Sequence, residues 1–191
     1  MRVLVTGAAS GIGRATCLRL ARDARTHGRP AGVAAVDIRA SPELEKLAGE
    51  LRGLGVEALV LPGDMGDAEA PARVVDAAVE RFGGLDGVVS NAGINRPGRL
   101  ANYAVDDWDR VFAVNTRATW LLARAAYPAL KASRGALVAV GSMSGSEAHA
   151  NLGAYGPSKA AVIMLARVLA QEFGLTASAS TRSRRVWCAP G

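Results

Sequence analysis

Short runs that are apolar at nearly every position alternate along this chain with longer stretches whose apolar residues recur at helical spacing. The apolar runs are 2–6 (RVLVT), 33–37 (VAAVD), 56–61, 85–90 (LDGVVS) and 136–141 (ALVAVG). Between them, 11–24, 42–52, 68–82, 107–131 and 157–173 read as helices. Strands that are apolar throughout belong to a parallel sheet covered on both faces. Five strand–helix alternations therefore predict an α/β chain with a doubly wound parallel sheet and no internal repeat. The rhythm breaks twice. RDARTHGRPAG (22–32) reads as a short loop with Gly and Pro punctuation, and after Gly174 the periodicity stops.

Size and composition narrow the picture. A chain of 191 residues is one domain with room for a real core. Half the residues are apolar and only 5% aromatic, so Ala, Val and Leu must build that core. No stretch reaches the roughly 18 uncharged apolar residues of a membrane span, so no membrane partner is expected. The opening MRVLVTG runs directly into a strand without the parts of a signal peptide, and a cytoplasmic protein is expected. Cys17 and Cys188 supply neither a disulfide framework nor zinc spacing; Cys17 reads as a helix-core residue, and no metal site is expected. The net charge of +6 raises nucleic acid as a partner. The arginines are scattered, with one local group at Arg182, Arg184 and Arg185, and aromatics are not interleaved with them. A solvated basic surface is the better reading.

The chemistry-bearing segments begin at VLVTGAASGIGRA. Gly7, Gly11 and Gly13 stand where a strand turns sharply into a helix, and exposed amides with the positive helix end favour a phosphate there. The spacing Gly-x-x-x-Gly-x-Gly differs from the Gly-x-Gly-x-x-Gly fingerprint, so a turn without ligand stays open on this motif alone. Asp37 ends the second strand, where an acid accepts hydrogen bonds from ribose hydroxyls and repels a 2′-phosphate. That favours NAD over NADP, although Arg14 and Arg39 lie nearby in sequence. An ordinary strand-end acid is the alternative.

In order, TGAASGIG (6–13), SNAG (90–93), VNT around Asn115, VGSMSG around Ser142 and YGPSK (155–159) resemble the short-chain dehydrogenase/reductase family over residues 1–174. Ser142 lies 13 positions before Tyr155 and Asn115 lies 40 before it, as in the family pattern. The resemblance implies a Rossmann fold in three αβα layers and an oxidoreductase that moves a hydride between NAD(P) and a secondary alcohol or ketone. It implies Tyr155 as general acid/base, supported by Lys159, Ser142 and Asn115. One helical turn after Tyr155, the Lys159 charge favours phenolate over phenol. Ser142 is expected to hold the substrate oxygen, Lys159 also the nicotinamide ribose, and Asn115, inside the long helix, a water that relays protons to Lys159. The implied cofactor set is Gly7, Ser10, Gly11, Ile12, Gly13, Asp37, Asp64, Met65, Asn91, Ala92, Gly93, Tyr155 and Lys159, with Asp64 meeting the adenine amino group. Taken singly, each of these also fits a plain structural role: a helix-interior polar group, a strand-end hydroxyl, a loop acid. His149 reads as an exposed loop histidine. The resemblance further implies a homo-oligomer, dimer or tetramer, through helices 107–131 and 157–173.

Family members run tens of residues longer, so the family's last strands, helices and substrate-covering segment are expected to be lacking. The tail LTASASTRSRRVWCAPG fits two readings: a longer loop into a sixth strand, or an irregular, aberrant run over 175–191, which is the expectation adopted. A fragment that binds NAD without catalysis is the alternative function.

Overall fold

The structure, a computed structural model, describes residues 1–175 and 186–189. Six parallel strands form its sheet: β1 (Arg2–Thr6), β2 (Gly32–Asp37), β3 (Glu57–Pro62), β4 (Gly87–Ser90), β5 (Ala136–Val140) and β6 (Val186–Ala189). Their order is β3-β2-β1-β4-β5-β6, the doubly wound arrangement. The chain moves outward from β1 to β3, then returns to the other side of β1 with β4. That reversal leaves a crevice beyond the carboxyl ends of β1 and β4, where ligands of such sheets bind.

Side chains alternate across β1 and both faces are apolar. Val3 and Val5 pack with Cys17, Leu18 and Ala21 of α1 (Gly11–Thr26) and with Leu44, Leu47 and Leu51 of α2 (Pro42–Gly53). Leu4 points the other way, into a core with α3 (Ala70–Phe82), α5 (Ala118–Ser133) and α6 (Tyr155–Leu175). Burial of Cys17 pushes its thiol up to about 12, so it is inert packing, as its position on the helix suggested.

Four expectations need adjustment. α1 runs on to Thr26 through the presumed loop, helped by an Arg19–Asp23 pair one turn apart. β4 begins at Gly87 rather than 85, although the Asp86 backbone still bonds to Arg2 at the start of β1 and to Ala136 at the start of β5. The long helix over 107–131 is α4 (Val105–Phe112) and α5 joined by one wide π turn, Ala113–Arg117. Lastly, the irregular run expected from 175 gives way at Leu175, the last residue of α6, and at Val186–Ala189, which pair in parallel with β5. Residues 176–185, 190 and 191 lie outside the described residues.

A clasp of Asp86 with Arg2 closes the sheet end opposite the crevice. Asp86 Oδ2 accepts from the Arg2 backbone amide at 2.7 Å, and Oδ1 from Arg2 Nη2 at 2.7 Å. The hydrogen bond from Arg2, outweighing partial burial, holds the Asp86 carboxyl below its ordinary value. A depressed carboxylate stabilises the fold above its unfolded value, near pH 4, and that contribution is lost as pH falls through the folded value. Asp86→Ala is expected to cost about 1 kcal/mol at neutral pH, kept small by solvent screening of the half-open pair, and to lower Tm by about 2–4 °C. Thermal melts should show the gap between variant and wild type narrowing below pH 4.

Candidate active site

The strand-to-helix turn is shaped by three glycines with different jobs. Gly7 and Gly11 have φ of +66° and +51°, a region that disfavours side chains. Gly13 is needed for proximity: a Cβ there would lie 2.1 Å from the Gly7 carbonyl oxygen. It packs the first turn of α1 onto the strand and does not line the cleft. Ser10, with extended backbone, is the N-cap; its side chain caps no amide, which leaves the first amides of the helix without helical partners where Ser10, Gly11 and Ile12 line the crevice. Asn91 Nδ2 donates to the Thr6 and Gly7 carbonyls at 2.9 and 3.3 Å. The buried Thr6 hydroxyl oxygen accepts from the Asn91 and Ala92 amides at 3.1 and 3.0 Å. The ends of β1 and β4 are therefore stitched together by side chains.

A cavity of about 480 Å³ crosses this junction. Gly7, Ser10, Gly11 and Ile12 form one wall; Asp37, Asp64 and Met65 another; Asn91, Ala92 and Gly93 the floor. Asp37 is held in place, Oδ2 accepting from the Ala9 amide and Oδ1 from its neighbour Ile38, both at 2.8 Å. Arg14 turns to Glu50 on α2, Nη2 to Oε1 2.6 Å. Asp64 is paired with Arg110 of α4. Burial opposes its ionisation, but the Arg110 hydrogen bond, the Gly66 amide and the Arg110 charge together bring its carboxyl below the ordinary value.

Tyr155 and Lys159 share one face of the first turns of α6, beside the cavity rather than in its wall. Lys159 is 5% exposed, an unusual burial for an ammonium. Its Nζ donates to the carbonyl of Val140, the last residue of β5, at 2.7 Å, and lies 5.9 Å from the centre of the Tyr155 ring. Ser142 follows two residues after Val140. Its Oγ accepts from the Ser144 amide at 3.2 Å, which starts the short 3₁₀ turn Met143–Gly145. That turn sits tightly on α6, since a Cβ on Gly145 would meet the Lys159 backbone carbonyl carbon at 2.7 Å. A Cβ on Gly93 would lie 3.3 Å from Asn115 Oδ1 and 3.5 Å from Lys159 Nζ, so the cavity floor and the Tyr–Lys pair are contiguous.

Asn115 sits in the π turn, 1% exposed. Such turns are frequent where helices pass functional sites. Its Oδ1 accepts from the Ile94 amide at 2.8 Å, while Nδ2 donates to the Ile94 carbonyl at 3.0 Å and to Ser158 Oγ at 2.9 Å. Ser158 Oγ in turn donates to the Tyr155 carbonyl at 2.7 Å. The geometry makes Asn115 a brace that ties the loop after β4 to the helix turn carrying Tyr155 and Lys159. His149 is an exposed loop residue, Nδ1 3.1 Å from the Glu147 carbonyl.

The model of the short chain dehydrogenase family matches residues 1–177. This chain belongs to the short-chain dehydrogenase/reductase family. Among its curated relatives are the short chain dehydrogenase mdpC of Emericella nidulans, 37% identical over 173 residues, and the versicolorin reductase stcU of the same organism, 36% identical over 174. Each match covers 90% of this chain and 62% of the relative, so the chain spans about three fifths of their length. Solved structures give the same fold. An NADH-dependent reductase A1-R′ responsible for alginate metabolism superposes with a TM-score of 0.83 at 31% identity, over 91% of this chain and 72% of that one. An NAD⁺-bound xylitol dehydrogenase gives 0.82 at 32%, over 91% and 65%.

As a short-chain dehydrogenase/reductase, the chain has a Rossmann-like fold with a cleft at its switch point and a Tyr–Lys pair along one edge of that cleft. Several residues of this site escaped the sequence reading. Thr6 and Ile94 act by hydrogen bonds to distant residues, as does Ser158 toward Asn115, and these bonds exist only in the assembled fold. Arg110 meets Asp64 across 46 positions, and nothing local to either residue signals the pairing.

Proposed function

We propose that this chain is a nicotinamide-nucleotide-dependent oxidoreductase acting on a secondary alcohol or ketone, with Tyr155 as general acid/base. One observation carries the reading: a buried ammonium, Lys159, 5.9 Å from the Tyr155 ring and held at 2.7 Å on the carbonyl of Val140, the strand-end residue two positions before Ser142.

The cleft suits a dinucleotide. Side chains on Gly7 would fill the space against Asn91 and Ala92, amides of the α1 start favour a phosphate, and Asp37 and Asp64 offer acceptors at two points along the wall. When bound, the nucleotide supplies the hydride acceptor or donor. The chain's own residues handle the proton. In alcohol oxidation Tyr155 Oη, as phenolate, takes the hydroxyl proton, and in ketone reduction the phenol returns it. Lys159 stabilises the phenolate by its charge, and its burial limits screening by water. Ser142 Oγ steadies the substrate oxygen as charge develops. Asn115 keeps the helix turn and the loop after β4 in register, so that Tyr155 and Lys159 hold their positions.

NAD is the proposed nucleotide. The fixed Asp37 carboxylate repels a 2′-phosphate, and Arg14, which would soften that repulsion, is engaged with Glu50. Calorimetry is expected to give NAD at least about a tenfold lower Kd than NADP; equal affinities would remove this assignment. A homo-oligomer is proposed as well, supported by the exposed Trp120 on α5 and Met164 and Val168 on α6. The function itself is tested by thermal melting with and without NAD, followed by turnover assays over a panel of secondary alcohols and ketones. A nucleotide-dependent rise in Tm with turnover supports the reading. A rise without any turnover instead supports a binding protein with no chemistry.

A further inference from the structure

Among the described residues, Arg110 is the one positively charged side chain in the wall of the dinucleotide cleft, which also carries the carboxylates of Asp37 and Asp64. Its Nη2 lies 2.9 Å from both Oδ1 and Oδ2 of Asp64. The Gly66 amide donates to Oδ1 at 2.8 Å. An ionised carboxylate offers about four lone-pair sites. Two fixed donors occupy Oδ1 and one occupies Oδ2, so the group is oriented and one directed acceptor site on Oδ2 remains.

Gly66 shows why this pairing is more than a chance surface contact. Its φ is not in the left-handed region, so its backbone does not require glycine. What a side chain would meet is the guanidinium: a Cβ on Gly66 would lie 1.8 Å from Arg110 Nη1 and 2.7 Å from Cζ. The missing side chain is the seat of Arg110. A second arginine, Arg117 of the π turn, donates to the Gly66 carbonyl through Nη2. The loop bearing Asp64 thus hangs from the same helical stretch that carries Asn115.

We propose that Arg110 is a positioning residue for the base end of the nucleotide: seated over Gly66, it fixes the Asp64 carboxylate so that Oδ2 accepts from the exocyclic amino group of adenine. The inference rests on the nucleotide reading of the cleft. Its chemistry is selective. Adenine carries an amino donor at C6, whereas hypoxanthine carries a carbonyl oxygen there, which a fixed carboxylate repels. A loosely held carboxylate would turn away from the carbonyl and lose the distinction.

The test compares Kd values of NAD and nicotinamide hypoxanthine dinucleotide by calorimetry for wild type, Arg110→Met and Gly66→Ala. Wild type is expected to prefer NAD by about tenfold, the worth of one hydrogen bond to a charged acceptor. Both variants should reduce that preference to about twofold or less. Gly66→Ala is the sharper of the two. It keeps the positive charge in the chain, denies it its seat, and displaces only the far end of a flexible side chain, so a cooperative melt close to wild type is expected. If the variants weaken both dinucleotides equally and the preference persists, Arg110 acts through charge or general stability, and this inference alone is overturned. If wild type binds neither dinucleotide, the nucleotide reading falls and the inference falls with it.

Discussion

Tyr155→Phe is expected to lower turnover by roughly 10²–10⁴-fold while leaving the Kd for NAD within about twofold of wild type. The substitution removes one oxygen and keeps the ring, so the packing beside Lys159 survives. Removing the phenolic oxygen deletes the only group on α6 proposed to exchange a proton with the substrate. The cleft walls, built by the glycine turn, Asp37, Asp64 and Asn91, do not include Tyr155, which is why binding should be spared. The split between kcat and Kd is the informative readout. A variant that keeps most of its activity would remove Tyr155 from the chemistry, whereas one that loses binding and activity together would make it a structural residue.

Gly13→Ala is expected to be the most damaging single-methyl change in the turn. The new Cβ would sit 2.1 Å from the Gly7 carbonyl oxygen and 2.7 Å from Asn91 Nδ2, so backbone must move against backbone. Neither neighbour is the free end of a long side chain. A destabilisation of about 2–4 kcal/mol is expected, read as a Tm lower by roughly 5–15 °C. The same displacement opens the junction of β1 with Asn91, so NAD binding should weaken as well. Gly11→Ala supplies the control. Its Cβ meets nothing within 4 Å, leaving only the strain of a φ of +51°, about 1 kcal/mol. Equal melting temperatures for the two variants would contradict the close approach assigned to Gly13.

The legible part of this molecule was the part fixed by local pattern. Val33, Ala34, Ala35 and Val36 are all fully buried because helices cover both faces of the sheet, and an uninterrupted apolar run is the signature of that burial. Gly7, Asp37 and Asn91 could be assigned to one crevice because strand ends of a doubly wound sheet converge at the reversal of strand order. What stayed hidden depends on distant partners. The sequence AVNTR continues the helical period on both sides, so nothing in it announces a π turn; the turn goes with the bonds of Asn115 to Ile94 and Ser158. The clasp of Asp86 with Arg2 joins residues 84 positions apart, and nothing local to either announces it. Gly13 looked like a cofactor contact since its motif is known for phosphate binding, yet its tight neighbours are the turn itself. The four residues Val186–Ala189 carried too short an apolar run, after a stretch rich in Ser, Thr and Arg, to decide for the sixth-strand reading of the tail.

The central claim is direct hydride movement coupled to a proton on Tyr155, and isotope transfer tests it most directly. Secondary alcohols deuterated at the carbinol carbon are incubated with NAD and the wild-type chain or Tyr155→Phe, and the nucleotide is analysed by mass spectrometry. The account predicts one deuterium in the reduced nicotinamide ring with wild type and almost none with Tyr155→Phe. Reduced nucleotide without the label, label delivered equally well by the phenylalanine variant, or no reduction with any alcohol of the panel would contradict it.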